Sequence, residues 1–273
     1  MYTDFHTHSI FSGDARDGLE DMVISAVQKG CGYFAATEHC NLDFDYHRVN
    51  IPPSDLAGYA EEFRRVKKLH GDKIRLTYGI ELGFDGHCNA GYSELLKKYG
   101  FEYVINSVHL INGEDCYNKN YFDIYNYKTA IENYLKAVRQ SLDVPYRFDA
   151  LGHFGYVTRN CPAANADMYA VSPDLCDDIL KTVIERGIIL EANSAVLNAP
   201  KPVTPAANIL RRYRELGGEL IIYGSDAHSA GSVCRSRGDA MAHLAALGFR
   251  WHTVLEEGKK KQIILVRKPN ADI

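Results

Sequence analysis

The stretch Tyr2–Asp14 reads YTDFHTHSIFSGD, and its first seven residues set a pattern that the rest of the chain repeats. A short apolar run, Tyr2–His8, closes on two histidines, His6 and His8. Residues two apart on an extended chain share a face, so both imidazoles point the same way and can take one metal ion. Six further runs follow: Tyr33–Glu38, Ile74–Leu82, Tyr103–His109, Asp149–His153, Ile188–Asn193 and Leu220–Asp226. Each ends on a polar group: Glu38 with His39, Glu81, His109, His153, Glu191 with Asn193, and Asp226 with His228. Helical periodicity fills the intervals, at Leu19–Lys29, Leu56–Leu69, Ser93–Tyr99, Thr129–Leu142, Pro173–Arg186, Pro205–Leu216 and Ser232–Leu247. Strands separated by helices of this length pair in parallel, because parallel neighbours need a crossover. In parallel α/β folds the active site forms at the carboxyl ends of the strands, where these polar groups fall. Closing seven such strands into a barrel brings them all around one mouth.

Local signals agree with this alternation. Ser54 is expected to cap the second helix, with Asp55 beside it. Ser172, Pro173 and Asp174 read as the start of the fifth. Gly30, Gly100, Gly187, Gly217 and Gly248 each follow a helical run, where a left-handed C-cap wants glycine. The stretch Asn112–Tyr127 reads as a long loop inserted over a barrel end, and Gln262–Val266 as a short added strand. No linker interrupts the chain, so residues 1–273 are expected to form one α/β domain.

The 273 residues include 31 Lys plus Arg and 35 Asp plus Glu, a net charge of -4, which offers no basic excess for a nucleic-acid backbone. Hydrophobic residues at 46% and charged residues at 24% are ordinary for a globular protein. The seven cysteines lack C-x-x-C spacing, which suits a reducing compartment. The start MYTDFHTHS has neither the basic nor the apolar segment of a signal peptide, and no run reaches membrane-spanning length. The expectation is a cytoplasmic protein. Its 18 tyrosines have no explanation at this level.

Nine residues near the strand ends are candidate metal ligands: His6, His8, Asp14, His39, Glu81, His109, His153, Asp226 and His228. Imidazole with carboxylate suits Zn, Mn or Fe. Crowding so many ionisable groups without a cation is costly. Nine ligands exceed what one catalytic ion uses and suit two or three. Glu81, with two oxygens, is the natural bridge.

These motifs identify a family. HTHSIFSGD at His6–Asp14, TEH at Thr37–His39, GIELGF at Gly79–Phe84, SVH at Ser107–His109, LGHFGY at Leu151–Tyr156, EANS at Glu191–Ser194 and GSDAH at Gly224–His228 resemble, in this order, the PHP superfamily of metal-dependent phosphoesterases. The EANSA and GSDAHS segments look most like its monofunctional histidinol-phosphatase branch. The resemblance implies a distorted (β/α)7 TIM-like barrel with a trinuclear site. His6, His8, Glu81 and Asp226 would hold the first ion. Glu81, His109 and His153 would hold the second, and Asp14, His39 and His228 the third. A hydroxide between the first two ions would attack phosphorus, with Asp226 or His228 passing a proton to the leaving alkoxide. The implied activity is hydrolysis of a small phosphate monoester, above all L-histidinol phosphate.

The chain departs from that branch at two positions. Asp14 stands where some relatives carry histidine. The arginine that usually follows the strand-six asparagine is absent from Asn193–Lys201, leaving Asn193, Lys201 and Arg159 as the candidates for substrate phosphate, with Arg235 and Arg237 behind them. Because of that gap, another phosphoester such as a nucleotide or sugar phosphate is the second reading. An amidohydrolase needs a bridging lysine, and no lysine ends a predicted strand. A non-catalytic module would show a degraded ligand set, and this set is full. His47 and His87 are possible pocket residues, and His70, His243 and His252 read as surface or packing residues. Tyr117, Tyr121 and Tyr125 read either as a lid or as loop packing. Cys40 should point away from the face that His39 occupies.

Overall fold

A computed structural model describes residues 2–42, 44–45, 52–163, 166–195 and 203–265. Seven parallel strands form one sheet in the order β1 (Tyr2–Asp4), β2 (Cys31–Cys40), β3 (Arg75–Gly83), β4 (Tyr103–Ser107), β7 (Ala150–Leu151), β8 (Ile189–Asn193) and β9 (Ile221–Gly224). The missing numbers belong to a hairpin, β5 (Leu110–Ile111) with β6 (Glu114–Asp115). The sheet curls until its ends meet. Phe5 N–H donates to the Tyr223 carbonyl at 3.0 Å, Asp226 N–H to that of His6 at 2.8 Å, and His8 N–H to that of Ala227 at 2.8 Å. The result is the nearly closed α/β barrel that the alternation predicts.

Side-chain alternation sorts the core. On β2, Tyr33 and Ala35 point into the barrel with Phe5, Tyr103, Ile105, Ala150, Ile189 and Ile222. Phe34, Ala36 and Cys40 point outward against the helices Leu19–Gln28 and Leu56–His70. Cys40 thus lies on the face opposite His39, as the period of two requires. A hairpin, β10 (Trp251–Glu256) with β11 (Lys259–Ile264), sends Val254 and Leu255 into the barrel core. The added strand therefore comes earlier than Gln262–Val266 and has a partner; Val266 lies outside the described residues.

Several local expectations change in detail. Asp55, not Ser54, caps Leu56–His70, accepting from Gly58 N–H at 2.9 Å, while the Ser54 hydroxyl turns to the Ser12 carbonyl. Ser172 occupies the capping position of Pro173–Glu185 without a side-chain bond. All five expected C-cap glycines have positive φ. The stretch read as a loop holds the β5–β6 hairpin and a helix at Lys119–Ile124. Its turn is Asn112-Gly113, at φ 53° and 79°. That dipeptide favours a tight hairpin, because both positions tolerate left-handed backbone.

The tyrosines find their explanation here. Tyr59 donates to the carbonyls of Ala36 and Gly79, at 2.8 and 2.9 Å, bracing β2 against β3. Tyr92 donates to the Gly83 carbonyl, and Tyr134 accepts from Gly155 N–H at 3.0 Å. Each is a fully buried ring whose hydroxyl answers a backbone group. None of the seven cysteines forms a disulfide. No helix among the described residues is long and apolar enough to cross a membrane.

The Val254–Leu255 plug carries a prediction. Leu255→Ala should destabilise the fold by about 2–5 kcal/mol, the usual cost of a buried leucine. Urea unfolding followed by circular dichroism measures it, and a loss below about 0.5 kcal/mol would mean that the hairpin merely rests against the barrel.

Candidate metal centre

The regular strands stop just short of most of the ligands. His6 and His8 follow β1, His109 follows β4, His153 follows β7, and Asp226 and His228 follow β9, while His39 and Glu81 lie on β2 and β3. Register pairs His39 with Glu81 directly, which sets them side by side on one face. Every one of the nine candidate ligands comes to the same mouth.

Glu81 is the hub. It is completely buried, and its Oε1 lies 3.3 Å from His6 Nε2, 3.3 Å from His109 Nε2 and 2.9 Å from His153 Nε2. Its Oε2 lies 3.6 Å from His8 Nε2 and 2.7 Å from His39 Nδ1. His109 Nε2 and His153 Nε2 are 3.2 Å apart, so Glu81, His109 and His153 present three atoms at nearly equal spacing. A second triangle joins Asp14 Oδ2, His39 Nε2 and His228 Nε2 with sides of 3.4, 3.4 and 3.3 Å. In the remaining group, Asp226 Oδ1 lies 3.7 Å from His6 Nε2 and 3.3 Å from His8 Nε2. Tetrahedral ligands at the usual zinc–nitrogen distance stand about 3.3 Å from one another. The triangles therefore have the size a bound cation requires.

Hydrogen bonds around the rim aim the rings. A carboxylate or carbonyl oxygen only accepts, so an imidazole nitrogen facing one must donate. Nδ1 of His6 donates to Glu191 Oε1 at 2.6 Å, and Nδ1 of His228 to the Asp226 carbonyl at 3.0 Å. The Ser12 hydroxyl gives its proton to Glu38 at 2.5 Å and accepts from His8 Nδ1 at 3.2 Å. Nδ1 of His109 faces the Asn41 side-chain oxygen at 3.3 Å. With Nδ1 committed in all four rings, Nε2 is the nitrogen left to face the centre of the site. His6 Nε2, His8 Nε2 and Glu81 Oε2 are buried with no hydrogen-bond partner among the described residues. Imidazole nitrogens and carboxylate oxygens converging in a buried site are a donor set that fits a cation.

Electrostatics sharpen that fit. Burial opposes charge on Glu81, yet the imidazoles of His6, His109 and His39 outweigh it and hold its carboxyl well below the usual range. Burial pushes His8 and His153 down, which keeps them neutral. Burial also opposes charge on His6 and His39, but the carboxylates around them, Glu191 and Glu81 foremost, raise both well above the ordinary histidine value.

Beside the ligands lies a cavity of about 460 Å³, lined by Arg16, Arg159, Arg235, Tyr117 and Tyr156 together with ligand side chains. Arg159 is nearly buried, with Nη1 3.2 Å from Asp226 Oδ2 and Nη2 2.7 Å from Asn193 Oδ1, and its guanidinium lies over the Tyr156 ring. Asn193 is completely buried and spends its amide on Glu191, Asp226 and Arg159. It orients the phosphate candidate instead of standing in the cavity itself. Arg16 escaped notice in the sequence, having no motif of its own. Arg237 is buried over Tyr2, away from the cavity. His87 lines a separate cavity, Tyr121 and Tyr125 pack into the core, and Lys201 and His47 lie outside the described residues.

Comparison with known proteins agrees with this geometry. The PHP domain model matches residues 4–195. The probable histidinol-phosphatase of Clostridium acetobutylicum is 30% identical over 85% of this chain and 89% of its own length. The histidinol-phosphatase of Lactococcus lactis subsp. lactis is 27% identical over 83% and 84%. Among solved structures, histidinol phosphate phosphatase from Lactococcus lactis subsp. lactis, complexed with zinc, L-histidinol and phosphate, superposes with a TM-score of 0.85 at 24% identity, covering 95% of this chain and 98% of that one. Asp226 and His228 fall beyond the matched segment, and the fold brings them back to it.

The raised values of His6 and His39 fix a sign. These rings carry protons near neutrality, and a cation must displace them. Metal uptake at pH 7 should therefore release protons, and affinity should fall as pH drops. Titration with zinc in weak buffer, followed by a pH electrode, reads the release directly; uptake without it would contradict the assignment.

Proposed function

The chain belongs to the PHP domain family, and from that membership we propose that it is a metal-dependent phosphomonoesterase acting on L-histidinol phosphate in histidine biosynthesis. One observation carries the reading: ligand triangles of cation size open onto two adjoining cavities, one lined by guanidinium groups and the other by the Asp115 carboxylate. The relatives, histidinol-phosphatases by name, supply the substrate. Three divalent ions suit the three groups, zinc being the ion in the Lactococcus lactis structure. His6, His8, Glu81 and Asp226 hold one, Glu81, His109 and His153 another, and Asp14, His39 and His228 the third. Bound there, divalent ions polarise phosphoryl oxygens and acidify a water for attack.

The chain's own groups do the rest. Arg16, Arg159 and Arg235 face the cavity and bind the phosphate oxygens, Arg159 held in place by Asn193. They bring guanidinium groups to a chain that lacks the arginine after Asn193. His228 commits Nδ1 to a carbonyl and Nε2 to the ligand triangle, whereas Asp226 keeps Oδ2 beside Arg159 at the cavity, and we assign proton transfer to Asp226 on that placement. Burial opposes its charge, but His6 and its other cationic neighbours hold Asp226 ionised. It takes the proton of the attacking water and delivers it to the leaving alkoxide.

The leaving group has its own compartment. A second cavity of about 260 Å³ shares Asp14, His39, His109 and Tyr156 with the first and adds Asn41, Phe44, Asp115 and Asn118. Asp115 stands on β6 with its carboxylate on the Tyr117 N–H at 2.9 Å. An ammonium and an imidazole find a carboxylate, two amides and aromatic rings there. A sugar or nucleotide phosphate brings no cation to pair with that carboxylate, whereas the ammonium does. Seven cysteines without a disulfide suit a cytoplasmic setting.

Phosphate release from a panel of esters, with zinc or manganese supplied, tests the reading; histidinol phosphate should rank first, and no turnover of any ester would remove it. Asp115→Asn should raise KM for histidinol phosphate about 10- to 100-fold, the worth of a charged hydrogen bond, and leave phenyl phosphate unchanged. Equal effects on both esters would move the leaving group elsewhere. Arg235→Ala should raise KM more than it lowers kcat and weaken inhibition by inorganic phosphate. Unaltered phosphate inhibition would return Arg235 to the surface.

A further inference from the structure

We infer that Glu191 is the positioning residue that sets two metal groups at once, by fixing the tautomer of His6 and the backbone of His153. The inference rests on the metal-binding part of the proposed function.

Glu191 stands in the middle of strand β8 and is buried, and its ordinary role there would be that of a polar group satisfied by neighbours. Its contacts are more specific than that. Oε1 accepts the Nδ1 proton of His6 at 2.6 Å, and Oε2 accepts the backbone N–H of His153 at 2.5 Å. His6 faces Glu81 and Asp226, whereas His153 pairs with Glu81 and His109. One carboxylate therefore holds a ligand from each of two triangles. Asn193 adds a third bond, donating to Oε1 at 3.1 Å, and through its own oxygen holds Arg159.

Three donors on two oxygens leave no freedom of exchange. If His6 gave up its Nδ1 proton, a carboxylate would face a bare lone pair, so the remaining proton stays on Nδ1 and Nε2 stays open to the cation. The site is built around this group. A Cβ on Gly224 would stand 2.2 Å from Glu191 Oε1 and 2.5 Å from His6 Cβ, so only glycine leaves room for the carboxylate beside the ring.

Glutamine at this position has one acceptor where three donors converge. If its oxygen keeps His153, its amide meets the Nδ1 proton of His6. The ring then moves its proton to Nε2, into the cation's place. If its oxygen turns to His6, the amide opposes the His153 N–H. Either way a ligand is lost, and carboxylate partners of metal-bound histidines typically account for about 10- to 100-fold in affinity. The triangle of Asp14, His39 and His228 is held separately, His228 by the Asp226 carbonyl, and serves as an internal control.

Two measurements on the whole chain decide it. In zinc-loaded wild-type protein, nitrogen-15 NMR should place the His6 ring proton on Nδ1, which needs no variant to fold; a proton on Nε2 overturns the inference. Chelator competition should show Glu191→Gln, verified as folded by circular dichroism, to bind zinc about 10- to 100-fold more weakly, with the tightly held remainder matching the triangle of Asp14, His39 and His228. Affinity within threefold of wild type overturns it and leaves the metal reading standing. Wild-type protein that takes up no zinc overturns both.

Discussion

Everything at this mouth depends on a carboxylate that water never reaches. Glu81 is enclosed by His6, His8, His39, His109 and His153, all within 3.6 Å of one of its oxygens. An isolated charge buried this deeply would be prohibitive, and paired burial is tolerated only when each group has a partner. The rings reach Glu81 from four separate segments, so the barrel must close before the charge is compensated. The requirement runs both ways. The fold assembles the site, and the site's need for a counter-charge makes a cation part of the folded state.

The tyrosines and the buried acids solve related problems. Strands that end at a functional mouth leave carbonyl and N–H groups without ladder partners. Tyr59, Tyr92 and Tyr134 reach those groups from the helical layer, supplying a long apolar ring with one polar tip. Glu38 and Glu191 do the same for the ligands, Glu38 acting through Ser12 on His8 and Glu191 directly on His6. What a sequence displays as a tyrosine-rich composition with spare acids is a layer of braces behind the reactive groups.

Much of this is legible in the sequence because two periodicities coincide. Apolar runs ending in His, Glu or Asp at each strand terminus locate the strands and the ligands together, and glycines such as Gly30 and Gly100 mark the helix ends. The strand-to-ligand offset is not legible. Strand β1 stops at Asp4 while its ligands come two and four residues later, because closure onto β9 diverts the backbone. The hairpin at Asn112-Gly113 carried its own turn signal, masked by polar neighbours that look like loop. Arg16 and Asp115 belong to no periodic pattern, and only the curvature of the sheet brings them to the cavities. Asn193 shows the opposite error: the right neighbourhood, but one layer behind the surface.

The meeting of β1 with β9 has a consequence during synthesis. The first strand leaves the ribosome well before its neighbour on the closing side, Ile221–Gly224, which comes more than two hundred residues later. Until then the growing sheet has two open edges, the kind of surface that recruits other chains. Over the same interval the histidines of the first strand have no Asp226 or His228 to complete their ligand sets. The cell therefore faces a nascent chain that is sticky and metal-poor for most of its translation. Both conditions end together, when the last parallel strand docks.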